Sequence, residues 1–119
     1  MSFVTIDGED AKDFDDAVYA EQLSQKKGWR ILVSIADVSH FVKENSYIDK
    51  EARLRGNSVY LPNYVIPMLP EELSNNLCSL KPNLDRACLT VEIILDKNGL
   101  KKSHSFYRSI INSKKRLTY

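Results

Sequence analysis

Six carboxylates crowd residues 7 to 16 of this chain: Asp7, Glu9, Asp10, Asp13, Asp15 and Asp16, with Lys12 the one cation among them. Two carboxylates ~4 Å apart repel by roughly 4 kcal/mol at an effective dielectric near 20. A solvated loop could spread such charges. Here, however, Phe3-Val4-Thr5-Ile6 precedes the run and Ala17-Val18-Tyr19 follows it, and both flanks read as strand. Carboxylates held together where strands enter and leave a core need protons or a cation. A hard divalent ion with oxygen ligands, Mg²⁺ with Mn²⁺ as substitute, suits them. The alternative for any acidic run is a solvated face or a disordered tail. Two other carboxylate motifs fail on spacing. An EF-hand loop begun at Asp7 would put Lys12 where glycine is required and Ala11 where an oxygen ligand is required. The Asp13-Phe14-Asp15 pair has the form of a phosphatase Asp-x-Asp, but polar Glu9-Asp10-Ala11-Lys12 stands where that motif needs a buried strand.

The run Thr5 to Tyr19 resembles the first signature of the ribonuclease II/ribonuclease R family, the RNB catalytic domain of 3′-to-5′ exoribonucleases. Ile35-Ala36-Asp37-Val38-Ser39, Asp49-Lys50-Glu51-Ala52-Arg53, Gly56 to Pro62, Ile66 to Pro70 and Leu73 to Leu80 follow in the family's order, with the ribonuclease R branch most similar. The resemblance implies that Asp7, Asp13, Asp15 and Asp16 hold Mg²⁺. Asp15 is then the residue most directly coupled to chemistry, and Asp7 and Asp16 are principal ligands. The implied reaction hydrolyses the terminal phosphodiester at the 3′ end of single-stranded RNA and releases 5′-mononucleotides. A two-metal carboxylate cluster provides for the in-line displacement at phosphorus. Tyr60 matches the family tyrosine that packs against the terminal nucleotide. Such stacking is worth ~1–3 kcal/mol and accepts any base, and it needs the ring rather than the hydroxyl. Read without the family, Tyr60 is an ordinary strand tyrosine with a buried ring and a wet hydroxyl. Glu9 and Asp10 have no family role.

The chain of 119 residues fits one domain at most, and 43% hydrophobic with 28% charged residues is an ordinary globular composition. No apolar run approaches the ~20 residues of a membrane span, and the amino terminus lacks a signal peptide's apolar core. Cys78 and Cys88 make neither a metal spacing nor a disulfide framework, which suits free thiols in a reducing cytoplasm. The net charge of +1 hides an asymmetry: no acid follows Asp96, while Lys97, Lys101, Lys102, Arg108, Lys114, Lys115 and Arg116 do. An acidic metal pocket beside a basic surface suits a phosphodiester ligand. The bland alternative is a solvated strand face with a frayed basic tail.

The elements that must position these residues are mostly strands. Phe3 to Ile6 leads into the acidic loop. Ala17 to Leu23 and Trp29 to Ala36 form a hairpin around Ser24 to Gly28, and Ile31, Val33 and Ile35 make one face of its second strand strongly apolar. Asp37 closes that strand, either as a turn former or as a fifth carboxylate near the metal. A helix is expected over residues 46–55, capped by Ser46 and stopped by Gly56, and a shorter one over 71–76 opened by Pro70. Ser58 to Leu61 is short and extended. Pro62, Pro67 and Pro70 punctuate an irregular stretch. Arg86 to Leu95, with Leu89, Val91, Ile93 and Leu95 on one face, turns at Asp96 to Gly99 and returns over Leu100 to Ile111. The expected class is α+β with a mainly antiparallel sheet.

Arg53, Arg55 and Arg86 could touch phosphate or serve only as helix-end and strand charge, and His40 and His104 have no partner spacing. Family catalytic domains run to several hundred residues, and the arginine that faces the scissile phosphate has no counterpart here. Residues 1–119 are therefore expected to be the amino-terminal portion of an RNB domain. The rest of that domain, with cold-shock-type and S1 domains, would belong to the parent chain. The competing functions are a non-catalytic RNA- or metal-binding module and a structural fragment inactive on its own.

Overall fold

The computed structural model describes residues 1–119. In chain order it has β1 (Val4–Asp7), β2 (Asp16–Gln22), β3 (Gly28–Ala36), α1 (Val38–Phe41), α2 (Tyr47–Arg55), β4 (Val59–Leu61), β5 (Tyr64–Ile66), β6 (Asp85–Asp96), β7 (Lys101–Asn112) and β8 (Lys115–Thr118). A 3₁₀ turn at Ser24–Lys26 joins β2 to β3, and a π-helical turn at Leu73–Leu77 precedes β6. Six strands form one sheet in the order β7-β6-β3-β2-β1-β8, while β4 and β5 pair as a separate hairpin. All neighbours in the large sheet are antiparallel except β1 with β8. The fold is α+β, as expected from the alternating runs.

Local chemistry accounts for most boundaries. Ser46 Oγ accepts the Asp49 N–H at 3.2 Å and Arg53 pairs with Asp49, so α2 forms although none of its residues is buried. Gly28 opens β3 with φ 138°, and a Cβ there would lie 1.9 Å from the Leu95 carbonyl oxygen. Only glycine lets β3 and β6 approach so closely at this point. Asp96 Oδ1 accepts the Asn98 and Leu100 N–H groups at 2.8 and 3.0 Å, which closes the β6–β7 turn.

Three features depart from expectation. The segment after Asp37 is the short helix α1. The proline-punctuated stretch contains β5, folded back on β4 about Pro62-Asn63. The basic tail is no frayed end, because β8 pairs in parallel with β1, Thr5 opposite Arg116 and Asp7 opposite Thr118.

The buried core lies on the less apolar face of the sheet. Leu32, Ala36 and Cys88 on that face join Phe3, Phe14, Ala17, Leu73, Cys78, Leu80 and Ile111. Small side chains there let the acidic loop and the 73–80 segment pack closely. The buried Ser34, Thr90 and neighbouring Ser109 satisfy one another through hydroxyl contacts of 2.7 and 2.6 Å. The opposite face keeps its strongly apolar pattern uncovered: Ile35, Leu89, Phe106 and Ile110 are exposed, with Phe106 at 66% and Ile110 at 76%.

Candidate metal and nucleic-acid site

The acidic loop leaves the sheet at Asp7, the last residue of β1, and rejoins it at Asp16, the first of β2. Two remote segments strap it down. Buried Ser79 accepts the Phe14 N–H at 3.1 Å and donates to the Lys12 carbonyl at 2.9 Å, and the Leu80 N–H donates to the Phe14 carbonyl at 2.8 Å. From β8, the Arg116 guanidinium donates to the Gly8 and Glu9 carbonyls and lies 5.7 Å over the Phe14 ring. The buried Phe14 ring anchors the loop in the core, so Asp13 and Asp15, its neighbours on either side, are turned outward from it.

Burial holds the Asp15 carboxyl above its ordinary range, and the charges of Asp13, Asp16 and Asp7 add to that effect. Solvent reaches the Asp15 side chain, which lines a concave site. Asp7 is raised as well, first by burial, then by Asp16 and Asp13, while Thr5 and Arg116 pull the other way. The Thr5 hydroxyl stands near the Asp7 carboxyl without a well-formed hydrogen bond, so Thr5 Oγ1 and Asp7 Oδ2 are both buried and unpartnered. The charges of Asp13 and Asp16 thus act on both Asp7 and Asp15. The four aspartates do not yet close on a common point, since no three carboxylate, imidazole or thiol groups stand in position to hold a metal.

The donor set nevertheless fits a hard divalent cation. It is all oxygen, it is mutually repulsive, and it includes a buried carboxylate oxygen with nothing to bond. Such an ion would draw the carboxylates together and relieve their repulsion.

Asp13 and Asp15 open into a cavity of about 330 Å³ that also meets Ser58, Tyr60, Met68 and Ser74. A second cavity of about 650 Å³ adjoins it through Asp13, Ser58, Tyr60 and Ser74, and reaches Glu71 and Asn75. Tyr60 stands between them on the exposed β4–β5 hairpin, 68% exposed, its hydroxyl donating to Asp13 Oδ2 at 3.4 Å. The exposed ring is not the buried strand tyrosine of the bland reading. Asp7 and Asp16 line neither cavity.

The other candidates are engaged elsewhere. Asp37 is bound by the Ser39 hydroxyl at 2.5 Å and by Arg108 at 3.3 Å, and the two hold its carboxyl below the usual range, the hydroxyl foremost. Arg53 pairs with Asp49, Arg55 with Glu51 and the Pro67 carbonyl, and Arg86 donates to the Ser79 carbonyl at 2.9 Å. Cys78 and Cys88 are free and buried, and burial pushes the Cys88 thiol up to about 12. No helix is long and apolar enough to cross a membrane. Sequence reasoning missed Ser79 and Arg116 as partners of the loop. Neither carries a local signal, because each meets it from more than 60 residues away.

The chain matches the RNB domain over residues 1–119. It is 54% identical over 119 residues to ribonuclease R of Vibrio parahaemolyticus, covering 100% of this chain and 14% of that protein. Mycoplasma genitalium RNase R in complex with double-stranded RNA superposes on 100% of this chain and 21% of its own, with a TM-score of 0.96 and 45% identity. The same enzyme in complex with ribose methylated single-stranded RNA gives a TM-score of 0.94 at 44% identity, over 99% of this chain and 18% of its own. The chain thus spans only a small part of the relatives it matches.

Proposed function

The chain belongs to the RNB domain family, and on that premise we propose that it is the aspartate-bearing part of a 3′-to-5′ exoribonuclease that releases 5′-mononucleotides from single-stranded RNA. The observation that carries the reading is the shared cavity. Asp13 and Asp15, two of the four clustered aspartates, open into the space that the exposed ring of Tyr60 overlooks. Asp7, Asp13, Asp15 and Asp16 would hold Mg²⁺, or Mn²⁺ in its place. Such an ion supplies Lewis-acid polarisation of the phosphodiester and neutralises charge on the departing 3′-oxygen. Asp15, which lines the cavity and has its carboxyl held above the ordinary range, is the residue we couple most directly to hydrolysis. Tyr60 offers a face to the terminal base, and its hydroxyl orients Asp13.

The aspartates of this chain do not close into a ligand set unaided, which favours little or no activity for the 119 residues alone. The remaining RNB portion and cold-shock-type and S1 domains of a parent chain would complete the site and guide RNA into it. Two free buried thiols suit a reducing compartment, and we place the parent in the cytoplasm. The deciding assay incubates this chain and a parent-length protein separately with 3′-labelled and 5′-labelled single-stranded RNA, with Mg²⁺ and with chelator. Mononucleotides released from the 3′ end by the parent, and lost on chelation, support the reading. Internal cleavage, or release that ignores the chelator, would overturn it.

A further inference from the structure

We infer that Arg116, on the edge strand β8, is a positioning residue that sets the acidic loop for cation binding. Its consequence for the cation rests on the metal reading above, whereas its hold on the loop does not. β8 runs beside β1, so the guanidinium reaches the Gly8 and Glu9 carbonyls, the first two after Asp7. The same group lies over the ring of Phe14, which separates Asp13 from Asp15. One side chain therefore grips both the outgoing and the returning arm of the loop. The Gly8 carbonyl that it holds also accepts the Ala11 N–H at 3.1 Å, so arginine and loop turn share an acceptor.

What Arg116 leaves alone is equally telling. It forms no ion pair, although six acids lie in the loop that it touches. Its buried Nε has no partner. A solvated basic tail would place its charge on a carboxylate. One nitrogen of this guanidinium, Nη2, instead donates to both backbone carbonyls while the guanidinium carbon stands over an aromatic ring, two contacts several ångströms apart that a compact ammonium does not make together. Arg116 thus forms an ion pair with none of the carboxylates of Asp7, Asp13, Asp15 and Asp16.

Charge and position predict opposite results, which makes the role testable. A fixed positive charge beside Asp7 opposes a bound cation, so removing that charge alone should tighten binding. Loss of loop alignment should weaken it. The experiment compares the ¹⁵N-labelled 119-residue chain with its Arg116→Lys and Arg116→Met variants, using Mn²⁺ as the probe. In metal-free R116K the Ala11 amide should exchange at least about tenfold faster while amides of β3 and β6 keep their rates. The Mn²⁺ concentration that broadens residues 7 to 16 should rise about tenfold or more in both variants. Unchanged Ala11 exchange in R116K, or tighter Mn²⁺ binding by R116M, would overturn the proposal. If the unsubstituted chain shows no selective broadening, the metal reading fails and metal-free exchange alone judges Arg116. If R116M does not fold, R116K carries the comparison, since it retains the charge and loses the guanidinium that reaches the two carbonyls and the Phe14 ring at once.

Discussion

At Asp15 the backbone and the side chain serve different ends. Its carbonyl accepts the Ala36 N–H at 2.9 Å, which fixes the loop to β3, while its carboxylate opens into the cavity. A carboxyl raised in the folded state stabilises the fold while protonated. That contribution is fully present below the ordinary value of 3.8 and is lost as pH rises through the higher folded value. Asp15→Asn should therefore raise the melting temperature of the chain near pH 7 by ~1–3 °C, with the gain over the original chain vanishing below about pH 4. Thermal scans across that range check the sign. In the parent-length protein the same substitution should abolish RNA cleavage and leave RNA binding in place, as a gel-shift assay run beside the product assay would read. Tyr60 separates recognition from chemistry. Tyr60→Ala should cost ~1–3 kcal/mol of grip on the terminal nucleotides and lengthen the final undegraded oligonucleotide in the parent. The ring alone suffices on stacking grounds, but the structure gives the hydroxyl a partner in Asp13. Because that bond is long and exposed, Tyr60→Phe should cost no more than about 0.5 kcal/mol of binding.

Among the elements, the turn that ends at Ser79 and Leu80 does most to hold the acidic loop. Ser79 is fully buried and satisfies a loop N–H and a loop carbonyl at once. Ser79→Ala would remove the partner of both groups, the Phe14 N–H in a buried place. The expected loss is ~1–3 kcal/mol, seen as a melting temperature lower by several degrees. Ser79→Thr keeps the hydroxyl but adds a methyl group at a site with no spare room, so it should rescue the loss only in part. Equal stability of Ser79→Ala and the original chain would show that the loop is held from β8 alone. By contrast, α2 and the β4–β5 hairpin expose most of their side chains, and the caps and ion pairs of α2 are local to it.

For the whole molecule, the sheet faces are the wrong way round for a free-standing domain. The closely packed core uses the small and hydroxyl-bearing side, and the side rich in isoleucine, leucine and valine meets solvent. Contiguous apolar surface of this kind marks a contact face or an aggregation liability. The chain should bind the dye ANS while folded and self-associate at micromolar concentration. Sedimentation velocity should show Phe106→Lys with Ile110→Lys shifting it toward monomer without unfolding it. A monomeric original chain with no dye signal would mean that this face is better covered than its exposures indicate.

The acidic cluster of residues 7 to 16, seated between two strands, was legible in the linear order because charge density and flanking strand pattern are local signals, whereas Tyr60 stood out only by resemblance to the family. The α2 boundaries were legible for the same reason, since a cap and an i,i+4 pair act within one turn. The parallel seating of β8 on β1, the straps from Ser79 and Arg116, and the choice of which sheet face to bury were not. Each joins residues far apart in the chain, where no periodicity records the partner. Apolar alternation shows that a strand has two faces, but the buried one is chosen by whatever else packs against it. Here Phe14, Leu73 and Leu80 made that choice, and they turned the acidic loop outward in the same step.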